Sequence, residues 1–378
     1  MESNGLEIVF WSSLLLLLYT YAGYPLLVWL RAKLRPRIVL RRSHEPSVTI
    51  IIIARNGDQW IDGKLSSCLK MDYPHNQLQV VLVSDGSTDA TIARARAFES
   101  PRVDVIECPE HRGKAACLNE AVRNAKGEII IFTDVRQRLD RMAVRNLVMN
   151  FADPTVGAVS GELMLDPDAA NGFAAGMDLY WRYEKWIRVN EARFASSVGV
   201  TGAIYALRHE CFRPIPEDTV LDDVLIPMNV VTAGMRVVFD RHAIAYDVPS
   251  GNRAREQQRK VRTIAGNYQL VLLKPGLLNP FRNPVWLQFV SHKLLRLIVP
   301  FLLAMMLTAS FALGVESAGY RLLLVAQLVL YIVALFGILL PAAQRLHVIR
   351  IPTTFLLLNW FAVLGLVSFA RHRRSQPW

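Results

Sequence analysis

Four long apolar stretches, one near the start of the sequence and three near its end, constrain this 378-residue chain more than any other feature. They cover residues 8–30, 294–314, 322–340 and 353–369. Each is long enough to cross a bilayer as a helix, which takes roughly 17–25 apolar residues. The residues between the first and second stretch are polar enough for an ordinary globular domain. The sequence therefore predicts a soluble domain held between membrane segments.

The flanks of the first stretch favour a retained anchor over a cleaved signal peptide. A signal peptide has a basic start, a shorter apolar core and small residues at its cleavage site. Here Glu2 and Glu7 come first, and a basic cluster follows: Arg31, Lys33, Arg35, Arg37, Arg41 and Arg42. Because basic loops stay on the cytoplasmic side, we expect a cytoplasmic central domain in an integral protein of the inner or plasma membrane.

Basic residues near the end of the chain conflict with a count of four spans. With the central domain inside, three further spans place the tail outside. Arg371, Arg373 and Arg374 favour the inside. Either one apolar stretch is re-entrant or interfacial, or the tail departs from the rule, and the sequence leaves both alternatives open.

Charge and cysteine usage narrow the classes of ligand. The formal net charge is +11, but the basic residues cluster beside the apolar stretches. That placement favours membrane lipids as partners and argues against nucleic acid, since no aromatic residues alternate with the basic ones. The four cysteines lack the Cys-x-x-Cys spacing of a zinc site, and free thiols fit a reducing compartment.

The central region alternates strand-like and helical patterns. Short runs rich in Val and Ile cover residues 47–53, 78–83, 103–106 and 128–133, and a helical pattern covers residues 113–126. Continuously apolar strands separated by helices indicate an α/β fold with a mostly parallel, Rossmann-like sheet. Ligands of such sheets bind at the carboxyl ends of the strands.

Three short motifs lie at those strand ends. Asp85 follows the second strand within Asp-Gly-Ser-Thr-Asp, and Asp134 follows the fourth. Between them, Gly113 and Lys114 open a helix, where free amide groups, the helix dipole and a cation suit a phosphate. A plain strand–turn–helix junction explains Asp85 equally well, and a solvated lysine in a first helical turn is common.

Two further motifs lie downstream. Thr201 and Gly202 form a small turn before a strand-like run, and Asp222 and Asp223 precede a helical pattern. Asp222 could simply cap that helix, with Asp223 favoured by the helix dipole. A functional role is the better interpretation of Asp223, because of the motifs that accompany it.

The order of these motifs resembles the family 2 glycosyltransferases of GT-A fold, and most of all their membrane-bound branch of cellulose, hyaluronan and chitin-oligosaccharide synthases. The resemblance covers residues 46–273. It implies an N-terminal anchor and basic linker over 1–45, a GT-A domain over 46–273, and an interfacial segment with transmembrane helices over 274–378.

The resemblance also implies roles for individual residues. Asp223 corresponds to the catalytic base. Asp134 corresponds to the first position of the Asp-x-Asp motif and to the ligand of a divalent cation, Mg²⁺ or Mn²⁺. The expected contacts with a UDP-sugar donor are Ala54, Arg55, Asn56, Asp85, Lys114, Asp134, Arg136, Arg259 and Arg262. The expected contacts with the acceptor are Thr201, Gly202 and Asp222.

Two positions depart from the pattern of that branch. Arg136 stands where the second Asp of Asp-x-Asp is expected, and a guanidinium cannot ligate a cation, which puts metal dependence in doubt. Thr263 stands in place of the tryptophan of Gln-x-x-Arg-Trp, which weakens the case for processive polymer synthesis. The basic run around Arg259 and Lys260 also fits a membrane-surface helix.

We therefore expect an inverting transfer from a UDP-sugar to a glycan or lipid-linked acceptor at the cytoplasmic membrane face, in bacterial exopolysaccharide or glycolipid synthesis. The alternative is a catalytically silent nucleotide-sugar-binding subunit of a polysaccharide assembly complex. A dinucleotide-binding enzyme is disfavoured, because the segment after the first strand lacks Gly-x-Gly-x-x-Gly.

Overall fold

One eight-stranded sheet organises the central region of the computed structural model, which describes residues 2–98, 100–165, 175–248 and 253–372. Within these residues the strand order is β3-β2-β1-β4-β7-β6-β8-β5. The strands are β1 Val48–Ala54, β2 Leu78–Asp85, β3 Val103–Cys108, β4 Ile129–Asp134, β5 Arg138–Leu139, β6 Val156–Leu165, β7 Tyr205–Arg208 and β8 Arg236–Asp247.

The first four strands form the parallel half of the sheet. β1 pairs in parallel with both β2 and β4, and β2 pairs in parallel with β3. All four predicted strands are confirmed, each reaching one or two residues further toward its carboxyl end. That extension makes Asp85 the last residue of β2 and Asp134 the last residue of β4. Both carboxylates therefore lie at the edge where ligands of parallel sheets bind.

The other half of the sheet is mixed. β7 runs antiparallel to β4 and β6, and β5 runs antiparallel to β8, whereas β6 and β8 are parallel. The prediction of a mostly parallel sheet thus holds for the first half. The strands of the second half are also buried on both faces, so their apolar sequences resemble those of buried parallel strands.

Thirteen α-helices lie within the described residues. They are α1 Glu2–Leu18, α2 Tyr24–Leu34, α3 Asp58–Leu69, α4 Thr91–Ala97, α5 Lys114–Arg123, α6 Ala143–Val148, α7 Ala175–Phe194, α8 Asp222–Thr232, α9 Arg253–Leu273, α10 Trp286–Gln288, α11 Leu295–Leu313, α12 Ala318–Leu339 and α13 His347–His372. π-helical turns join α1 to α2 and α10 to α11, so each pair forms one continuous rod.

Among the described residues, four helical segments are long and apolar enough to cross a membrane: these two rods, α12 and α13. They cover Asn4–Leu34, Trp286–Leu313, Ala318–Leu339 and His347–Arg371. α1 packs against α11, and the Trp11 indole donates a hydrogen bond of 3.0 Å to the Tyr320 hydroxyl on α12. α2 instead packs against α7, where Tyr24 and Val28 cluster with Ile187. The first rod therefore connects the membrane helices to the sheet domain.

The last helix, α13, packs along α9 of the sheet domain. A Cβ on Gly365 would come within 2.5 Å of the Ile264 side chain, so the two helices approach closely at that glycine. Four residues further on, the Phe369 and Tyr268 rings stack with centroids 5.8 Å apart. α9 is a polar helix of the sheet domain. α13 packs along it and therefore lies beside that domain.

Candidate functional site

A cavity of about 820 Å³ opens where the sheet domain meets the apolar helices. Its volume lies in the range typical of small-molecule sites. Eight Lys and Arg side chains line it together with five Asp and Glu side chains. Many residues singled out from the sequence line it together: Lys114, Asp134, Thr201, Gly202, Asp222, Asp223, Arg259 and Arg262.

Lys114 is the electrostatic centre of the sheet side of this cavity. Gly113, at φ 93°, precedes α5 and turns the chain so that the helix begins at Lys114. The Lys114 ammonium lies 3.1 Å from Asp134 Oδ1 and 3.1 Å from Asp222 Oδ2. Burial alone would lower the pKa of Lys114, but these carboxylates raise that pKa above its ordinary value. Lys114 is therefore a permanent cation at the strand ends.

Asp223 lies in the first turn of α8, beside the Thr201–Gly202 turn. The Val200 amide donates a hydrogen bond of 2.9 Å to the Asp223 carbonyl, which fixes the turn against the helix. A Cβ on Gly202 would stand 3.7 Å from Asp223 Oδ2, so the glycine leaves the carboxylate uncovered. Burial and the neighbouring Asp222 charge raise the pKa of Asp223 to about 6. A carboxylate with that pKa is an effective proton acceptor near neutral pH.

Asp222 does not cap α8. Leu221 occupies the N-cap position, and no side chain caps the helix. The buried Asp222 carboxylate pairs with Lys114 instead, so it faces the same cation as Asp134. Its predicted contact with an acceptor stays a prediction.

Asp85 does not line the cavity, and its carboxylate already holds a loop. The amides of Arg112 and Gly113 donate to Asp85 Oδ1 at 2.7 and 3.2 Å, and His111 Nδ1 lies 2.8 Å from Oδ2. Burial raises the pKa of Asp85, but these bonds outweigh burial and lower that pKa. Gly86 is required there, because a Cβ would come within 2.6 Å of the His111 amide. A contact between Asp85 and uridine stays a prediction.

The segment after β1 also lies outside the cavity lining. Ala54 is buried in the core, so its backbone alone could contact a ligand. Arg55 and Asn56 are exposed, and Asn56 adopts φ 49° while its side-chain oxygen accepts a hydrogen bond of 2.9 Å from the Thr88 amide. The segment is thereby tied to the Asp-Gly-Ser-Thr-Asp loop.

Arg136 forms an ion pair with Asp247, at the end of β8. Gln137 donates a second hydrogen bond, 3.1 Å long, to the same oxygen of Asp247. The other oxygen, Oδ1, is buried without a hydrogen-bond partner in the described residues, and Asp247 lines the cavity whereas Arg136 does not. Asp247 was not singled out from the sequence, because a lone Asp at a strand end carries no distinctive signal.

The described residues of the cavity supply few ligands for a divalent cation. Asp134 is the one carboxylate of the former Asp-x-Asp motif, and Asp247 Oδ1 is an oxygen without a partner. Within the described residues no three His, Cys, Asp or Glu side chains cluster closely enough to hold a metal. A cation fits only where phosphate oxygens and water complete its shell.

α9 carries Arg259 and Arg262 into the cavity. The helix packs closely on the loop before α8, since a Cβ on Gly266 would come within 2.6 Å of Leu221 Cγ. Thr263, which replaces the tryptophan, donates a hydrogen bond of 2.9 Å to the Arg259 carbonyl. Arg259 and Arg262 therefore line the same cavity as Lys114 and Asp223.

Lys64 is a buried lysine behind the Asp134 segment that sequence reasoning missed. Its ammonium donates to Thr133 Oγ1 at 2.6 Å and to the Gln137 carbonyl at 2.8 Å. Burial lowers the pKa of Lys64 to about 8. The sequence does indicate this burial, because Lys64 lies with Ile61, Leu65 and Cys68 on the apolar face of α3.

The membrane side of the cavity contains a buried network around His292. Its Nδ1 lies 2.8 Å from Glu191 Oε1, and its Nε2 lies 3.0 Å from Glu184 Oε2. Tyr24 donates to Glu191, and Arg296 pairs with Glu184. The network therefore ties α2 and the α10–α11 rod to α7 of the sheet domain.

Comparisons with known proteins show which family and fold the chain is similar to. Residues 49–212 match the family model described as glycosyl transferase family 2. An N-acetylglucosaminyltransferase of Rhizobium meliloti is 33% identical over 159 residues, which are 40% of this chain and 35% of that protein. Another from Rhizobium sp. is 28% identical over 253 residues, which are 61% of this chain and 56% of that protein. The chain thus spans about half the length of these relatives or less.

A solved structure matches over almost the whole chain. It is the mannosyltransferase PcManGT from Pyrobaculum calidifontis, in complex with GDP-Man and Mn²⁺. The two share 25% sequence identity with a TM-score of 0.71, and the match covers 97% of this chain and 99% of that one. The GT-A fold flanked by apolar helices, expected from the sequence, is confirmed.

Proposed function

Because residues 49–212 match a family 2 glycosyltransferase model and the chain adopts the GT-A fold, we propose that it is an inverting enzyme that moves a sugar from a UDP-sugar to a membrane-associated acceptor. The observation that carries the proposal is the placement of Asp223. Its carboxylate lines the same cavity as Lys114 and Asp134, and its pKa is about 6.

The reaction follows from that arrangement. An acceptor hydroxyl attacks the anomeric carbon, the bond from that carbon to the diphosphate breaks, and UDP leaves with the electron pair. The Asp223 carboxylate takes the hydroxyl proton as the new bond forms. Attack from the side opposite the diphosphate inverts the configuration at the anomeric carbon.

Side-chain cations meet the charge that develops on the diphosphate. Lys114, Arg259 and Arg262 line the cavity, and preorganised cations of this kind stabilise a leaving group without reorganisation. A divalent cation, Mg²⁺ or Mn²⁺, would be held by Asp134 together with the phosphates, and it would add Lewis-acid stabilisation of the same charge. Arg136 would act on the donor indirectly, by holding Asp247.

N-acetylglucosamine is the first sugar to test, because several relatives are named N-acetylglucosaminyltransferase. The mannosyltransferase structure that this chain matches holds GDP-Man, so GDP-mannose is the necessary competitor. We place the enzyme in the inner or plasma membrane, with the sheet domain in the cytoplasm and bacterial polysaccharide or glycolipid as its product.

Three spans with α13 at the membrane interface would resolve the conflict of charges near the chain end. In that arrangement α1, α11 and α12 cross, and α13 stays beside α9 on the side of the sheet domain. A cysteine at Arg371 in a variant without native cysteines should react with an impermeant maleimide from the same side as a cysteine at exposed Glu217. Reaction from opposite sides would establish α13 as a fourth span.

The function is tested by nucleotide release from purified protein in lipid nanodiscs. UDP-N-acetylglucosamine, other UDP-sugars and GDP-mannose are compared, with Asp223→Asn and EDTA as further arms. We expect one donor to release nucleotide through Asp223. Release of GDP alone would overturn the UDP assignment. Tight UDP binding without turnover of any donor in native membranes would favour the silent-subunit alternative.

A further inference from the structure

Arg188 and Lys293, two of the cations that line the membrane side of the cavity, form no ion pair with a carboxylate of the described residues. Arg188 lies on α7, and Lys293 lies in the π-helical turn before α11. Both line the cavity and both are partly exposed to it. In the part of the chain that the structure describes, neither forms an ion pair or hydrogen bond through its side chain. Asp223 and Glu184 act on these charges electrostatically, but no carboxylate of the described residues lies within ion-pair distance of them.

The carboxylates of this region are committed elsewhere. Glu184 is held by Arg296 and by His292, and Glu191 is held by His292 and Tyr24. Burial raises the pKa of Glu184, but the charges of Arg296 and His292 hold that pKa well below its usual range. Neither carboxylate forms an ion pair with Arg188 or Lys293 in the described residues, so an anionic ligand can pair with both cations without breaking an existing ion pair.

The wall next to these cations is mostly apolar, apart from Arg350 and Asn359, and borders the membrane helices. Ile351, Phe355 and Leu358 of α13 line it, with Tyr21 and Leu297 contributed by two rods that could cross a membrane. Tyr21 packs against Phe355 with ring centroids 5.3 Å apart. A ligand held by Arg188 and Lys293 thus has hydrocarbon surface on one side.

The two cations also stand close to the proposed base. The Lys293 and Arg188 charges both act to lower the pKa of Asp223, against the burial that raises it. Lys114 and Asp134, which we propose to hold the donor, pair with each other, so we assign the acceptor to the side of Arg188 and Lys293.

We infer that the acceptor is a lipid-linked sugar whose phosphate binds Arg188 and Lys293 while its lipid chain lies against α13. Basic pockets between membrane helices bind lipid phosphates in this way. The inference rests on the proposed function, since it names the acceptor class for the same site.

The presence of a base indicates which atom of the acceptor reacts. A phosphate monoester has a second pKa near about 6, so its oxygens need no base at neutral pH. A sugar hydroxyl does need one. Asp223 is therefore matched to a hydroxyl of a sugar joined to the lipid through phosphate, and the phosphate serves as the binding handle.

The probe is farnesyl phosphate, titrated into the full chain in detergent by calorimetry. We expect Lys293→Met and Arg188→Met each to weaken its binding about tenfold, the usual loss for a charge-assisted hydrogen bond. Lys33→Met and Arg193→Met are the matched controls, since both lie outside the cavity, and they should leave binding unchanged. Lys293→Arg should restore most of it.

Further arms separate the inference from its competitors. Farnesol and inorganic phosphate should each bind at least about tenfold more weakly than farnesyl phosphate, since each lacks one half of the recognition. Equal affinity for either one, or no binding of farnesyl phosphate to protein that binds UDP, would overturn the inference.

UDP binding distinguishes this site from the donor site. Its Kd should be the same in Lys293→Met, Arg188→Met and the parent chain, which also shows that the variants are folded. If UDP and farnesyl phosphate lose affinity in parallel, the two cations belong to the donor and the inference fails. Nucleotide release through Asp223 would then still support the proposed transfer.

Discussion

The two sides of the cavity differ in how their charges are arranged. On the sheet side, Lys114 lies between Asp134 and Asp222, and Arg136 is paired with Asp247. On the membrane side, the carboxylates are paired with His292 and Arg296, and two cations remain without a partner. Lys114 must exchange internal ion pairs for those of a ligand, whereas Arg188 and Lys293 have no ion pair to exchange within the described residues.

This difference suits a donor and an acceptor with different demands. A soluble nucleotide-sugar must bind and leave in every cycle, and ion pairs that re-form within the protein ease its release. A ligand delivered by the membrane needs lasting attraction to an otherwise apolar wall. The comparison therefore predicts that substitutions on the two sides affect different ligands and different measured quantities.

Asp223→Asn should have the largest effect on activity. Loss of a general base typically costs about 10²–10⁴-fold in rate. In the parent chain, the rate should fall as pH drops below about 6, where Asp223 becomes protonated. Initial rates of nucleotide release across pH measure both, with exposed Asp218→Asn as the control. A variant that retains a tenth of the parent rate would exclude Asp223 as the base.

His292→Leu should have the largest effect on stability. It leaves Glu184 and Glu191 buried without the imidazole between them, and breaking a buried charge pair costs about 3–5 kcal/mol. Lys293→Met, one residue away, removes a cation with no internal partner and should change stability by less than about 0.5 kcal/mol. Thermal unfolding in detergent compares the two. If both variants lowered Tm equally, the predicted difference between paired and unpaired charges would be wrong.

Lys114→Met should weaken donor binding more than acceptor binding. A lost hydrogen bond to a charged group costs about 1.5–3 kcal/mol, so the Kd for UDP should rise roughly 10- to 100-fold. Binding of farnesyl phosphate should stay within about twofold of the parent value, because Lys114 pairs with Asp134 and Asp222 and is not one of the proposed phosphate ligands. Calorimetry with both ligands tests this, and a comparable loss for farnesyl phosphate would mean that the two sides are one site.

Sequence reasoning located the sheet side well because its signals are local. A run such as residues 47–53, rich in Ile, predicts a buried strand, and a Lys that opens a helix or an Asp that ends a strand is visible within ten residues. Lys114, Asp134, Asp222 and Asp223 were all found in this way.

The membrane side could not be predicted, because its partners are far apart in the chain. His292 meets Glu184 across 108 residues, and on the sheet side Arg136 likewise meets Asp247 across 111 residues. Such pairs depend on how whole helices and strands pack, which no local pattern records. Asp85 illustrates the same limit, since a strand-end carboxylate that holds a loop and one that binds a ligand have the same sequence.

The smallest predicted effect is a gain in stability from Asp223→Asn at neutral pH. The folded-state pKa of Asp223, about 6, lies above its ordinary value of 3.8. Its ionisation therefore opposes folding, and the stability present below pH 3.8 is lost as pH rises through 6. The full shift corresponds to about 3 kcal/mol. Solvent in the cavity screens part of it, so we expect about 1 kcal/mol, or roughly 2–4 °C in Tm, at pH 7.5.

Near pH 4 the two proteins should unfold together, because the carboxyl is then neutral in the folded parent. A gain that is the same at both pH values would come from packing rather than charge, and a loss at pH 7.5 would mean that the Asp223 carboxylate is stabilised by its neighbouring cations.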